Sequence, residues 1–487
     1  MRNTGILLHI SSLPTKFGIG DFGPSALAFA KYLISKGHKI WQILPINHCG
    51  YGNSPYNPLS AFAFNPYLIS PELLYQQGLI NQQSLQEAML PSGDTVYYEL
   101  VYKTKDVLLT QASANWLIQN DVQAYIEQNS YQLKPYLAFM ALYKIYGDSA
   151  WFNWQPEHRH FSEKLFYNLE KQFRPYINHQ AACQAIANEQ VNLLKSQLKL
   201  LGLTLVGDMP LYLSYESAEV WAHPEYFDLD VNGQRLHLAG VPPDAFSSNG
   251  QMWGNPIYNW SAMQADGFQL FTKRIGQALS YLDILRLDHF IGYVNYWQVN
   301  SDFAADGTPV IPKDALNGSW VDASPHEFFS IICEQFGSEH FLAEDLGILN
   351  EKVCNIRDSF GFPGMIILQF CFEESVPKVR DYPADRWLYT GTHDNSTLKG
   401  WFKSLASDSS SLRNLQAYCH YNRLRDCHGL PAEDKIHLIM QNIALDSGCE
   451  KVIIPFQDIY GLDDSARMNI PGTALGNWQW RISEDFY

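Results

Sequence analysis

Eight short apolar runs, each ending in polar or glycine-rich residues, and helix-compatible segments between many of them predict an α/β protein. The predicted architecture is a TIM (β/α)8 barrel with large helical and loop-rich insertions. The runs are near-continuous in Val, Ile and Leu rather than alternating, as expected of strands buried on both faces of a parallel sheet. A doubly wound open sheet is the alternative architecture for the same pattern.

In chain order the first four runs are GILLHI (5–10), IWQILPI (40–46), LTLVGDMP (203–210) and DILRLDH (283–289). FLAEDLG (341–347), MIILQF (365–370), WLYTGTHDN (387–395) and KVIIPFQDIYG (451–461) follow. The segments at 25–36 and 268–281 have helical patterns that suit crossovers. The spacing is uneven. Between the second and third runs lie SLQEAML, YLAFMALYKIYG and ACQAIANEQVNLLKSQLKLLG, which predict a mainly helical insertion at 67–190. The stretch 209–267 is rich in Pro, Gly, Asn and aromatics and has little periodicity. It reads as a loop-rich subdomain covering a cleft, since long loops inside a compact domain are usually functional. The barrel itself is expected to comprise 1–66 and 191–487. The eighth run ends at 461 in a chain of 487 residues, so no C-terminal β-sandwich domain is expected. No internal repeat is present.

Composition narrows the function. The chain is 46% hydrophobic and 17% charged, with a net charge of −16. That balance argues against nucleic acid and anionic membrane surfaces as partners. Aromatics make up 14%, including 13 Trp and 28 Tyr, and flat amphipathic rings suit the faces of sugars. The eight cysteines form no CxxC and fit a reducing compartment. The N-terminal apolar run is too short for a signal peptide. No stretch reaches the roughly 18 to 20 apolar residues of a membrane span. A cytoplasmic location is expected.

In a barrel of this kind catalytic groups stand at the C-terminal ends of the strands. The third run ends in Asp208, the fourth in Arg286, Asp288 and His289, the fifth in Glu344 and Asp345, and the seventh in His393 and Asp394. Strand alternation puts Arg286 and Asp288 on one face and Leu285 and Leu287 on the other. A structural ion pair is one reading of Arg286 and Asp288, because unpaired burial of charge is costly. Four acidic strand ends around one mouth, however, repel each other unless a cation, a substrate or a proton relieves them. Such carboxylates serve metal-assisted hydrolysis or glycoside cleavage. His289 and His393 leave a metal open by residue type. Arg286 supplies a cation already in place, expected to keep Asp288 ionised beside a protonated Glu344, the division of labour of a retaining glycosidase. Alternation sends Asp345 away from Glu344 into a structural role.

Two motifs mislead. GIGDFG (18–23) matches GxGxxG, but a dinucleotide fingerprint joins strand to helix directly, and here residues 11–17, including Pro14, intervene. HRH (158–160) lacks a partner motif and reads as a solvated turn. No cofactor and no metal are expected.

LRLDHF, AEDLG and GTHDN resemble three signature segments of the 4-α-glucanotransferases (amylomaltase or disproportionating enzyme), relatives of the α-amylases. The resemblance extends to SSLPTKFGIGDFG, YGNSPYNPLSAFAFNPYLIS, GDMPLYLSYESAEVWAHPEYFDL, GVPPDAFSSNGQMWGNPIYNW and RMNIPGTALGNWQWR, most of the chain outside the helical insertion. It implies a retaining 4-α-glucanotransferase that moves glucosyl or maltooligosyl units between α-1,4-glucans through a covalent intermediate, with maltooligosaccharides as substrates and glucose as an acceptor. By the same resemblance Asp288 is the nucleophile, Glu344 the general acid/base and Asp394 the transition-state stabiliser. Arg286, His289 and His393 would bind the donor sugar, with Asp208 nearby and Tyr56 stacked on it. The segment 244–254 resembles a flexible loop over the cleft, with Asp244, Phe246 and Trp253 as contacts, although some relatives carry an aromatic where this chain has Ala245. Asn469 in NIPGT would wall the acceptor side. Tyr51 matches a Tyr linked in relatives to a second glucan site, and a rim tyrosine is the other reading. A plain α-glucan hydrolase would use the same three carboxylates. A non-catalytic glucan-binding protein would have no need of them.

Overall fold

The computed structural model describes residues 2–147, 150–243, 249–303, 309–347, 350–407, 409–422, 433–473 and 475–484. Its central sheet has eight strands: β1 (Asn3–Leu7), β2 (Ile40–Gln42), β3 (Thr204–Met209), β4 (Ile284–Leu287), β5 (Phe341–Ala343), β6 (Met365–Ile367), β7 (Trp387–Tyr389) and β8 (Lys451–Pro455). Each overlaps one of the eight apolar runs. All pair in parallel, in the order β5-β4-β3-β2-β1-β8-β7-β6. Every strand lies beside its sequence neighbours and the first lies beside the last. This is the circular order of a barrel, not the reversal of a doubly wound sheet.

The barrel is nearly closed. At the β5–β6 seam no ladder forms among the described residues, and the Ala343 N–H reaches the Pro363 carbonyl at 2.9 Å instead. Asp345, one residue beyond Glu344, clasps the seam. Its buried carboxylate accepts from the Met365 N–H (2.7 Å), from Arg386 (2.9 Å) and from Arg357. Gly364 is required there, since a Cβ would come 1.8 Å from an Arg386 nitrogen and 2.3 Å from the Asp345 carboxylate. Asp345 therefore points away from the barrel mouth, as alternation requires.

Leu7, Ile40, Val206, Leu342, Met365, Ile367, Trp387, Tyr389 and Ile453 fill the barrel interior as one buried cluster. The period of two carries this inward face up the strands. Two residues beyond Val206 stands Asp208, two beyond Leu342 stands Glu344, and Ile284 leads to Arg286 and then Asp288. The apolar floor thus aims the polar groups at the mouth above it.

The insertion between β2 and β3 is helical. Its longest elements are Tyr98–Gln119, Ser130–Tyr146 and Glu163–Leu201. The last is capped at its start by the Ser162 hydroxyl, which accepts the Leu165 N–H, and stopped by Gly202 at φ 67°, a left-handed geometry that favours glycine. It runs past residue 190 and delivers the chain directly into β3. Two of its glutamines satisfy backbone left unpaired in the 64–70 segment. Gln184 exchanges hydrogen bonds with Phe64 (2.8 and 2.9 Å) and Gln190 with Ser70 (2.7 and 3.3 Å).

The stretch expected to be loop-rich also contains two strands. His237–Val241 and Gln251–Pro256 pair antiparallel with each other, and Asn295–Asn300 and Gly318–Asp322 complete a four-stranded sheet. A register shift between Leu238 and Gly240 breaks the alternation that would have marked these strands in the sequence. GIGDFG lies in a loop, separated from β1 by the 3-10 turn Ile10–Ser12, and its last glycine precedes the helix Pro24–Ser35. No disulfide joins the described cysteines. Among the described residues no helix is long and apolar enough to cross a membrane.

Candidate active site

The mouth of the barrel is organised around one guanidinium. Asp208 and Arg286 are direct partners in the β3–β4 ladder, so both side chains rise from adjacent strands at one level. The Arg286 side chain is 3% exposed. One terminal nitrogen lies 2.6 Å from Asp208 Oδ2 and 2.9 Å from Asp288 Oδ1, and the other lies 3.3 Å from Glu344 Oε1. The chain leaves β4 with ladder-like bonding: the Asp288 N–H meets the Met209 carbonyl (3.2 Å) and the Glu344 N–H meets that of Leu287 (3.1 Å). Asp288 and Glu344 are thus anchored by backbone on adjacent strand ends.

His289 turns the chain out of the strand in a left-handed conformation, φ 49°, which costs a residue with a side chain on the order of 1–3 kcal/mol. This turn aims the His289 N–H at Glu344 Oε2, 2.5 Å away. Gly292 makes room, since a Cβ there would come 2.6 Å from the His289 ring.

Asp394 stands on a rigid turn. The Thr392 N–H and hydroxyl both donate to Asn395 Oδ1 (2.8 and 2.9 Å). Asn469 Nδ2 donates to Asp394 Oδ1 at 2.6 Å, and the Asn469 N–H donates to the His393 carbonyl at 3.1 Å. The Asp394 side chain is 45% exposed, with Oδ2 3.4 Å from His393 Nε2.

Aromatic rings line both sides. Tyr56 stacks on His393 (centroids 5.0 Å apart, 13° between planes), leans on Trp478 (5.7 Å) and donates its hydroxyl to Asp208 Oδ2 at 2.8 Å. Opposite, Trp253, 39% exposed, meets His289 edge-on at 4.7 Å, with buried Tyr212 behind both. Asp244 and Phe246 lie outside the described residues.

Three carboxylates, those of Asp208, Asp288 and Glu344, share one buried cation, and Asp394 adds its charge nearby. Burial raises the Asp288 carboxyl well above the ordinary range. Arg286 pulls it down, but Glu344, Asp208 and Asp394 push it up again. Burial also raises Glu344, with Asp208 and Asp394 adding to the effect against Arg286 and the His289 N–H. Arg286 thus favours the ionised form of Asp288, while burial and the neighbouring acids favour the protonated form of both carboxyls. Burial works against the Arg286 charge, but the carboxylates of Asp208, Glu344 and Asp288 outweigh it and raise its pKa. Burial lowers His289 to about 4, and it lowers His393 as well, against the pull of Asp394. Among the described residues no group of three or more His, Cys, Asp or Glu is arranged to hold a metal ion.

The structure brings Tyr56, Asp208, Trp253, Arg286, Asp288, His289, Glu344, His393, Asp394 and Asn469 to the mouth of one barrel. Sequence reasoning missed Tyr212, Trp478 and Arg467, whose guanidinium binds the Asp394 carbonyl. Arg467 and Trp478 lie in RMNIPGTALGNWQWR, where only the arginine beside the NIPG turn offered a signal. Tyr51 is 79% exposed on a 3-10 turn.

Comparison with known proteins points one way. A family model described as 4-alpha-glucanotransferase matches residues 8–485. The 4-alpha-glucanotransferase of Aquifex aeolicus is 36% identical, over 100% of this chain and 96% of the relative. That of Thermus thermophilus is 35% identical over 99% and 95%. Among solved structures, the amylomaltase from Streptococcus agalactiae in complex with acarbose superposes with a TM-score of 0.90 at 32% identity, over 99% of this chain and 96% of that one. The amylomaltase from Corynebacterium glutamicum, at 17% identity and a TM-score of 0.77 over 99% and 71%, shares the fold.

Proposed function

The chain belongs to the 4-alpha-glucanotransferase family, and on that premise we propose that it transfers glucosyl or maltooligosyl units between α-1,4-glucans with retention of configuration. One observation carries the reading: Asp208, Asp288 and Glu344 converge on the buried Arg286 guanidinium at the mouth of the barrel. In this reading 1–66 and 191–487 form the catalytic barrel, 67–190 the helical insertion and 209–267 the subdomain over the cleft.

Asp288 attacks the anomeric carbon as Glu344 gives its proton to the glycosidic oxygen. The leaving glucan departs with that proton and a glycosyl ester remains on Asp288. Glu344, now a carboxylate, takes the proton from the 4-hydroxyl of the incoming acceptor. That oxygen then attacks the anomeric carbon and frees Asp288. The exchange needs Asp288 ionised while Glu344 is protonated, and the burial that raises Glu344 favours its part as proton donor. Asp394 grips ring hydroxyls more strongly as positive charge develops at the anomeric carbon. Tyr56 stacks on the donor sugar beside Arg286, His289 and His393, and Asp208 fixes the Tyr56 hydroxyl and Arg286. Trp253, with Asp244 and Phe246 of the 244–254 segment, and Asn469 receive the acceptor, a maltooligosaccharide or glucose. The acarbose bound to the Streptococcus agalactiae relative supports a saccharide-binding cleft.

Water competes for the same intermediate, so transfer wins only through acceptor binding and restricted water access. Incubation of the purified enzyme with maltotriose tests this. Transfer gives glucose and a ladder of longer maltodextrins while total reducing ends stay constant. A steady rise in reducing ends with no product longer than the substrate would instead make the protein a hydrolase.

A further inference from the structure

Three hydrogen bonds radiate from Arg467, one from each guanidinium nitrogen. Nε donates to the Asn469 carbonyl at 2.8 Å, one terminal nitrogen to the Ser396 hydroxyl at 2.9 Å, and the other to the Asp394 carbonyl. The acceptors lie on two segments far apart in sequence. Residues 394–396 end the β7 strand loop and carry Asp394. Residues 467–469 lead into the exposed NIPGT turn and carry Asn469.

These segments touch directly as well, through the Asn469 amide on the Asp394 carboxylate and the Asn469 N–H on the His393 carbonyl. Just beyond, the Trp478 N–H binds the Met468 carbonyl at 2.7 Å, and the Trp478 ring backs both Tyr56 and His393. The arginine thus sits at the junction of a donor-side wall and an acceptor-side wall. Each of its three nitrogens is held by a protein oxygen on one of these two segments, so its first effect is on the placing of Asp394 and Asn469.

We propose that Arg467 is a positioning residue that holds the acceptor wall in register with Asp394, and so sets the partition of the intermediate between transfer and hydrolysis. The proposal rests on the site reading given above. Its logic is geometric. An incoming water needs no docking surface, whereas an acceptor hydroxyl must arrive at the anomeric carbon from a surface fixed relative to it. A misplacement of about 1 Å costs on the order of 10²-fold in rate. Loosening the junction should therefore penalise transfer far more than water attack. It should leave donor capture, which depends on Tyr56, Arg286 and His289, nearly unchanged.

The test measures disproportionation and hydrolysis of maltotriose side by side for the parent, Arg467→Met and Arg467→Lys. Arg467→Met is expected to lose roughly 10- to 100-fold in transfer, to raise the ratio of hydrolysis to transfer about tenfold, and to keep the maltotriose KM for hydrolysis within about threefold. Lysine keeps the charge but cannot span three acceptors on two segments, so Arg467→Lys should show the same change of ratio in smaller degree. Added guanidinium ion should move the Arg467→Met ratio back toward the parent. A ratio within about twofold of the parent in Arg467→Met, or in Arg467→Lys alone if the methionine variant does not fold, overturns the proposal. Asp394→Asn is the control for the underlying reading. If it is inactive while the Arg467 ratios are unchanged, the positioning role alone fails. If it keeps near-parental activity, the assignment of Asp394 fails and the positioning role with it.

Discussion

Replacing Arg286 with methionine should expose how the active site is held together electrically. Among the described residues the guanidinium is the one cation in contact with Asp208, Asp288 and Glu344, at 2.6, 2.9 and 3.3 Å, and its side chain is 3% exposed. Methionine occupies much of its volume but leaves the carboxylates uncompensated, a loss of about 3–5 kcal/mol for a broken buried pair. Unfolding entropy near ~2.1 cal/mol/K per residue amounts to about 1 kcal/mol/K for 487 residues, so Tm should fall by about 3–5 °C at pH 7. The deficit should depend on pH in a definite direction. Asp288 and Glu344 already have raised pKa values in the folded state. Their contribution to stability is complete below the unfolded pKa of about 4 and is lost as pH rises through the folded values. Without Arg286 those values rise further, so the deficit should be smallest near pH 5 and grow toward pH 8. Calorimetry across that range measures it. Turnover should fall by about 10²–10³-fold, as when one preorganised donor is lost. An equal Tm deficit at pH 5 and pH 8, or transfer above half of the parental rate, would refute the reasoning.

Other outcomes follow from the same geometry. Asp288→Asn should lose about 10⁴- to 10⁶-fold in transfer, yet its Tm at pH 7 should equal or exceed the parent's, because a strained buried acid has been neutralised; a fall of more than about 3 °C would contradict this. Glu344→Gln should be inactive on maltotriose but still acquire one glycosyl unit from a glycosyl fluoride, detected by intact-protein mass, since fluoride leaves without a proton. Trp253→Ala should raise the acceptor KM about tenfold, the ~1.4 kcal/mol of one lost stacking face, while hydrolysis of the donor, measured without added acceptor, changes little.

The barrel was legible because strands buried on both faces are almost wholly apolar up to their last residues. Asp208, Arg286, Asp288 and Glu344 therefore stood out as polar residues at the ends of apolar runs. The small antiparallel sheet was not legible. His237–Val241 has one partner in Gln251–Pro256 and another in Asn295–Asn300, and the register shift at Leu238 hides its alternation. Arg467 and Trp478 lie in a segment without periodicity, and their significance comes only from contact with Asp394, Tyr56 and His393, distant in the chain. The pairing of Arg286 with Asp288 could be read from alternation. The balance of one cation against the three acids it touches required the depth of burial as well.

The clasp at Asp345 has a consequence for how the enzyme fails. Among the described residues seven strand pairings hold the barrel by backbone ladders, but the β5–β6 seam depends on side chains around Asp345 and a single main-chain bond at Ala343. The amides bordering that seam should exchange with deuterium earliest in the barrel, through local opening rather than global unfolding. Glu344 is the residue next to the clasp, while Asp288 sits between the laddered ends of β3 and β5. Warming should thus dislodge the proton donor before the nucleophile, so inactivation precedes the loss of secondary structure and reverses on cooling.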